Sequence, residues 1–237
     1  MSNQMAEVAA IIKRRKMNYI TTLFPEEGPL KRELYPKHME FFAATKDYTE
    51  VAFIAANRVG KSLATAYAAT LFLCGDLYPP WWNGRIFDRP VNIMVAGENA
   101  KLVRDSIQEK FLGPPNDIGT GLIPADRIIE RRAKAGTADA VDTVRVKSKY
   151  GVSTLQFLSY DSGREAFQAT ARDVVLCDEE PPMAIYSEAL MRLLSTKGLM
   201  MCAFTPLKGI SEVVLSFMPD GKPTEQKGYD HGLEIRL

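Results

Sequence analysis

Ala55-Ala56-Asn57-Arg58-Val59-Gly60-Lys61-Ser62 is the stretch whose reading decides the fold. Before it runs the apolar, β-type segment Val51-Ala52-Phe53-Ile54, and after it Leu63 to Leu73 reads as a helix. Strand, loop ending in Gly-Lys-Ser, then helix is the context in which a phosphate-binding loop is credible. Backbone N–H groups at a helix N-terminus point at an anion, and the helix dipole favours it. Gly60 lets the backbone turn closely around a phosphate, Lys61 supplies a point charge for the β/γ oxygens, and the Ser62 hydroxyl suits a Mg²⁺ ligand. One position departs from the usual loop: Ala55 stands where a glycine normally opens it, which implies a slightly different entry. The bland alternative is a Gly-Lys-Ser that opens a helix by coincidence.

Arg172-Asp173-Val174-Val175-Leu176-Cys177-Asp178-Glu179-Glu180 weighs against that alternative. An apolar run that ends in acids is what a fully buried parallel strand looks like. Ligands of open α/β sheets bind at the carboxyl ends of strands. Asp178 is therefore expected beside the phosphate loop, where it can hold a Mg²⁺ shell, and Glu179 is placed to polarise an attacking water. Together the two segments read as a nucleotide hydrolase.

Composition sets the limits of that reading. The chain has 237 residues, 46% of them hydrophobic, enough for one α/β domain with a sizeable core. A net charge of +1 says nothing for or against a nucleic-acid partner, so any basic surface must be local. Cys74, Cys177 and Cys202 lie far apart within apolar runs and read as buried thiols in a reducing compartment. With His38 and His231 the only histidines, a His/Cys zinc site is not expected. No stretch has the length or apolarity of a membrane span or signal core, so a soluble, cytoplasmic chain is expected.

Along the chain, residues 3–18 read as a helix with a basic end, Lys13-Arg14-Arg15-Lys16, most simply a solvated face. Pro36 suits a first helical position. Strand 51–56, helix 62–74, strand 91–97 and a helix from Ala100 to Phe111 follow. Residues 113–150 mix loops with short strands. Strands 153–160 and 173–178, helix 183–195 and strand 199–204 complete the series. Such alternation predicts a mostly parallel, doubly wound α/β sheet with helices on both faces.

With both nucleotide segments placed, other words gain meaning. The Asn57–Ser62 loop, the Tyr35–Phe42 segment, Ser159 to Gln168, the Asp178–Pro182 run and Phe204-Thr205-Pro206-Leu207-Lys208-Gly209 occur in one chain. Together they resemble the ATPase domain of tailed-bacteriophage terminase large subunits, over roughly residues 24–215. The resemblance implies a P-loop NTPase of the ASCE type, with strand 199–204 lying between strands 51–55 and 173–178. It also implies ATP and Mg²⁺ as ligands. Ala56, Asn57, Arg58, Val59, Gly60, Lys61 and Ser62 would hold the nucleotide, with Ser62 and Asp178 at the metal and Glu179, Arg58 and Lys61 catalytic. Arg58 looks like the family's loop arginine, which acts on the γ-phosphate in cis. Thr205-Pro206 looks like the motif that couples hydrolysis to movement. The Tyr35–Phe42 segment resembles the adenine-side element and brings His38 into the nucleotide set, although Lys37-His38 stands where a Gln is often found.

Implied partners are double-stranded DNA, a portal protein and a small terminase subunit, in the cytoplasm of an infected bacterium, with no membrane. A ring on the procapsid would let a neighbour's arginine complete the site. Arg104, Arg131, Arg132 and Arg164 are the arginines that could serve, and Arg104 is favoured because its helix follows a strand whose carboxyl end nears the nucleotide. An isolated domain is expected to be a monomer with slow ATPase. The expected organisation is an N-terminal helix and connector over 1–30, the ATPase domain over 31–220, and a tail or linker over 221–237 without a nuclease's carboxylate cluster. A helicase-like remodelling ATPase and a nucleotide switch with little turnover are the competing readings; the second is disfavoured by Glu179.

Overall fold

A computed structural model of the chain describes residues 18–168, 170–206, 209 and 211–218, and the backbone alone of 232–236. The helix expected over 3–18 falls almost wholly outside those residues. Eight strands form one sheet: β1 (Glu50–Ile54), β2 (Asn92–Gly97), β3 (Ile128–Ala133), β4 (Val141–Ser148), β5 (Gly151–Ser159), β6 (Val174–Asp178), β7 (Leu199–Phe204) and β8 (Gly232–Arg236). Their spatial order is β3-β4-β5-β2-β6-β7-β1-β8. Pairing is antiparallel for β3–β4 and β4–β5 and parallel elsewhere.

The apolar runs form central strands because both of their faces are covered. Every residue of β1, β6 and β7 is buried. Alternation sends Val51, Phe53, Val174, Leu176, Leu199 and Met201 into one core. Ala52, Ile54, Val175, Cys177, Met200, Cys202 and Phe204 enter a second core on the other face. On the first face lie helices α1 (Pro36–Asp47) and α2 (Lys61–Cys74). The helical segment that follows, α3 over 100–112, packs Val103, Ile107 and Phe111 into the same core. On the second face lie α4 (Met183–Leu193) and α5 (Glu212–Phe217). All three cysteines are buried and unpaired, as expected.

The doubly wound α/β reading holds, and so does the strand order. β7 pairs with β1 from Glu50↔Met200 to Ile54↔Phe204, and with β6 from Val174↔Leu199 to Asp178↔Ala203. Three local expectations need correction. First, α3 is not a regular helix: Val103–Gln108 is wound as a π-helix between two short α-helical ends. Such bulges insert an extra residue into a helical turn and shift the side chains that follow. Second, α4 ends at Leu193 and tightens into a 3₁₀ turn, Leu194–Thr196. Third, the short strands expected among residues 113–150 pair as one antiparallel hairpin: β3 is mostly exposed, whereas β4 alternates buried Val144 and Val146 with exposed Arg145 and Lys147. Within the stretch assigned to a tail, β8 adds in parallel to the free edge of β1.

Candidate nucleotide site

Three strand ends converge on one loop. Between β1 and α2, Arg58 and Gly60 take positive φ angles of 66° and 88°. Left-handed residues within such a turn are a backbone feature of anion-binding nests. Gly60 is favoured for two reasons: its φ suits glycine, and a Cβ there would crowd His38 Nε2 at 3.1 Å. His38 is buried beneath the loop and hydrogen-bonds the Val59 backbone; burial lowers its pKa, an effect the bond partly offsets. Its ring packs against Phe24, Tyr35 and Phe53. The structure thus gives His38 a supporting place under the loop.

Lys61 opens α2 and is buried. Its ammonium donates to the Ala55 carbonyl at 3.0 Å, the Ala56 carbonyl at 2.8 Å and Thr205 Oγ1 at 2.9 Å. Three donors meet three acceptors, so the charge is fully satisfied within the loop. Burial lowers the Lys61 pKa, opposed by the carboxylates of Glu179 and Asp178. The Thr205 hydroxyl stands 2.7 Å from the Ala55 carbonyl and 2.8 Å from Asn57 Oδ1, and its single hydrogen serves one of the two.

Asp178 ends β6 with its side chain hydrogen-bonded to Ser62. Burial raises its pKa, while the Ser62 bond, Lys110 and Lys61 pull the other way. Its Oδ1 is buried with no hydrogen-bond partner. An orphaned carboxylate oxygen next to a serine hydroxyl fits a hard, oxygen-seeking divalent cation that keeps most of its water, which is how Mg²⁺ is usually bound. Glu179 follows with φ 72°, a strained conformation for a residue with a Cβ. Its N–H donates to the Ala203 carbonyl at 2.9 Å, and its carboxylate lies near the Thr205 backbone N–H, which favours the charged form. Burial, then the charge of Asp178, raises its pKa, against Lys61 and the Thr205 N–H. The carboxylate lines a 360 Å³ cleft with Glu98, Tyr160, Asp161, Glu180, Pro182 and Thr205.

Residues 52–229 match the family described as "Terminase large subunit, T4likevirus-type, N-terminal". The chain belongs to this terminase family. It is 31% identical to the terminase large subunit of Salmonella phage P22 over 212 residues, 81% of this chain and 42% of that relative, so it spans less than half of the relative's length. Two solved structures share its fold. The large terminase ATPase domain of Thermus phage P74-26 aligns at TM-score 0.52 and 17% identity, over 79% of this chain and 75% of that one. A large terminase from a thermophilic bacteriophage, solved in complex with ADP, aligns at TM-score 0.53 and 11% identity, over 94% of this chain and 45% of that one.

In this terminase chain the expected loop, Asp178, Glu179 and Thr205 come together, whereas the arginines considered for a neighbour's site do not. Arg104 pairs with Asp105 at 2.6 Å on the π-helical turn. It lines a separate 560 Å³ cavity with Arg131 and Asp139. Arg132 pairs with Glu130, and Arg164 with buried Glu188 at 2.8 Å. Sequence reasoning overlooked Glu98, Tyr160 and Lys110 as neighbours of the site. Glu98 and Tyr160 directly follow the ends of β2 and β5, so the rule that found Asp178 would have found them. Lys110 carried no such signal, because its place depends on the π turn upstream. Among the described residues, no helix is long and apolar enough to cross a membrane.

Proposed function

We propose that this chain is the ATP-hydrolysing motor domain of a phage DNA-packaging terminase, converting hydrolysis into movement of double-stranded DNA into a procapsid. The observation that carries the reading is the meeting at Thr205: its hydroxyl accepts from the phosphate-loop Lys61, and it lines one cleft with Glu179. A segment that touches the phosphate cation and shares a cleft with the general base can report hydrolysis to the rest of the molecule.

The phosphate loop binds ATP through its N–H groups and Lys61, with Arg58 on the γ-phosphate. Ser62 and Asp178 would hold Mg²⁺, which when bound supplies positive charge at the β/γ oxygens. Glu179 orients a water in line with the γ-phosphorus and accepts its proton as the bond to ADP breaks. The raised Glu179 pKa makes the carboxylate a better base than an exposed glutamate. Portal protein, small terminase subunit and a ring of copies are the assembly in which we place this cycle, with the isolated chain a slow monomer.

The test is the ATPase rate of the chain alone, with double-stranded DNA, and with DNA plus portal. Stimulation by DNA and portal together supports the packaging reading. A rate insensitive to both, or stimulation by single-stranded nucleic acid alone, would overturn it in favour of a remodelling ATPase or a switch.

A further inference from the structure

The segment Ser159 to Gln168 has no part in the cycle above, yet its first aromatic residue reaches the catalytic strand. Tyr160 directly follows β5, two strands from β6 in the sheet. Its hydroxyl crosses the end of β2, within 3.5 Å of the Ala96 carbonyl, and arrives 2.8 Å from the Glu179 carbonyl. The Asp178 carbonyl lies farther off, at 3.4 Å. A phenol has one hydrogen to donate, and the shortest contact identifies Glu179 as its acceptor. The ring is buried, so the bond is made away from water.

Glu179 is the residue that needs such a bond. Its φ of 72° is a conformation that residues with a Cβ rarely adopt. On its N-terminal side the N–H is fixed by the Ala203 carbonyl. With the N–H held by Ala203 and the carbonyl held by Tyr160, both peptide groups that flank the Glu179 Cα are fixed, which restrains its strained φ and with it the direction of the Cα–Cβ bond. Tyr160 thus closes the second end of the glutamate's backbone. The segment behind Tyr160 is itself anchored to α4: Arg164 pairs with Glu188, and Arg192 donates to the Gln168 carbonyl at 3.0 Å.

We infer that Tyr160 is a positioning residue for the Glu179 general base, acting through the Glu179 backbone carbonyl. The inference rests on the reading of Glu179 as the water-activating group. Tyr160→Phe keeps the ring and removes only the donor. In the full chain it should lower kcat about tenfold, the weight of one buried hydrogen bond, with the KM for ATP within about twofold of the parent. In a Glu179→Gln background the same change should add no further loss, because no base remains to be positioned. A Tyr160→Phe chain with parental kcat, with KM and kcat altered together, or with an added loss in the Glu179→Gln background would overturn the inference. A chain that no longer binds a fluorescent ADP analogue would also count against it, by assigning the hydroxyl to the fold. Parental turnover of Glu179→Gln by itself would instead refute the role of Glu179, so the two failures are distinguishable.

Discussion

The ammonium of Lys61 and the hydroxyl of Thr205 lie 2.9 Å apart, joined across 144 positions of the chain. Thr205 and the Ala55 and Ala56 carbonyls take the three donors that phosphate oxygens would also seek. A phosphate that reaches Lys61 must therefore compete with these partners. Displacing Thr205 would free its side chain beside Glu179, with which it lines one cleft.

Thr205→Val removes the hydroxyl, keeps the backbone N–H and preserves the shape. The chain measured without ligand should lose about 2 kcal/mol of stability, the net worth of one hydrogen bond to a charged group. Because the lost contact competes with phosphate for Lys61, the thermal shift produced by saturating ADP should grow. Differential scanning fluorimetry reads both, and an unchanged ADP shift would show that Lys61 keeps Thr205 when nucleotide is bound.

Lys61→Ala should abolish phosphate affinity and hydrolysis together. Fluorescent-ADP titration and a phosphate-release assay check this, and retained tight binding would remove Lys61 from the phosphate site.

Glu179→Gln should bind ATP normally and turn over at least about a hundredfold more slowly, the weight of a positioned general base. Single-turnover hydrolysis measures the step. Near-parental turnover would move the base to neighbouring Glu180, whose Oε2 is buried without a hydrogen-bond partner.

The pH dependence has a definite sign. Burial and Asp178 raise the Glu179 pKa, so the base loses its proton only above the ordinary carboxylate range. The acid limb of kcat/KM should accordingly lie above that range and vanish in Glu179→Gln. For stability the sign is the reverse of a salt-bridged acid: a carboxyl with a raised folded pKa favours folding below its unfolded pKa and loses that contribution as pH rises through the folded value. Asp178, raised chiefly by burial, penalises the fold at neutral pH. Asp178→Asn should therefore melt at a higher temperature than the parent at pH about 7, yet lose its Mg²⁺-dependent gain in ATP affinity.

A monomeric chain should hydrolyse ATP slowly, with a specific rate that rises with concentration if a neighbour's arginine completes the site. A fast, concentration-independent rate from a monomer, abolished by Arg58→Ala, would mean the site is complete in cis. Arg104→Ala separates the possibilities further, because Arg104 lies in its own cavity with Arg131 and Asp139.

The sequence by itself determined the sheet's central strands and the loop. Runs such as Val174 to Cys177 have no polar alternative to full burial, and Gly60-Lys61-Ser62 between a strand and a helix marks a tight left-handed turn into the helix. The acids that end β6 were legible for the same reason, since strand ends fix which side chains emerge at the sheet's edge. What only the tertiary structure decided were contacts between residues far apart in sequence. The grip of Thr205 on Lys61, the reach of Tyr160 to Glu179, the seat of His38 beneath Gly60 and the π turn that places Lys110 near Asp178 all depend on strand order and helix packing. Periodicity reports which face of an element is buried and cannot report which neighbour buries it. β3 was obscure for the complementary reason: with little of it buried, its sequence carried no alternation to read, unlike β4 beside it, where buried Val144 and Val146 alternate with exposed Arg145 and Lys147.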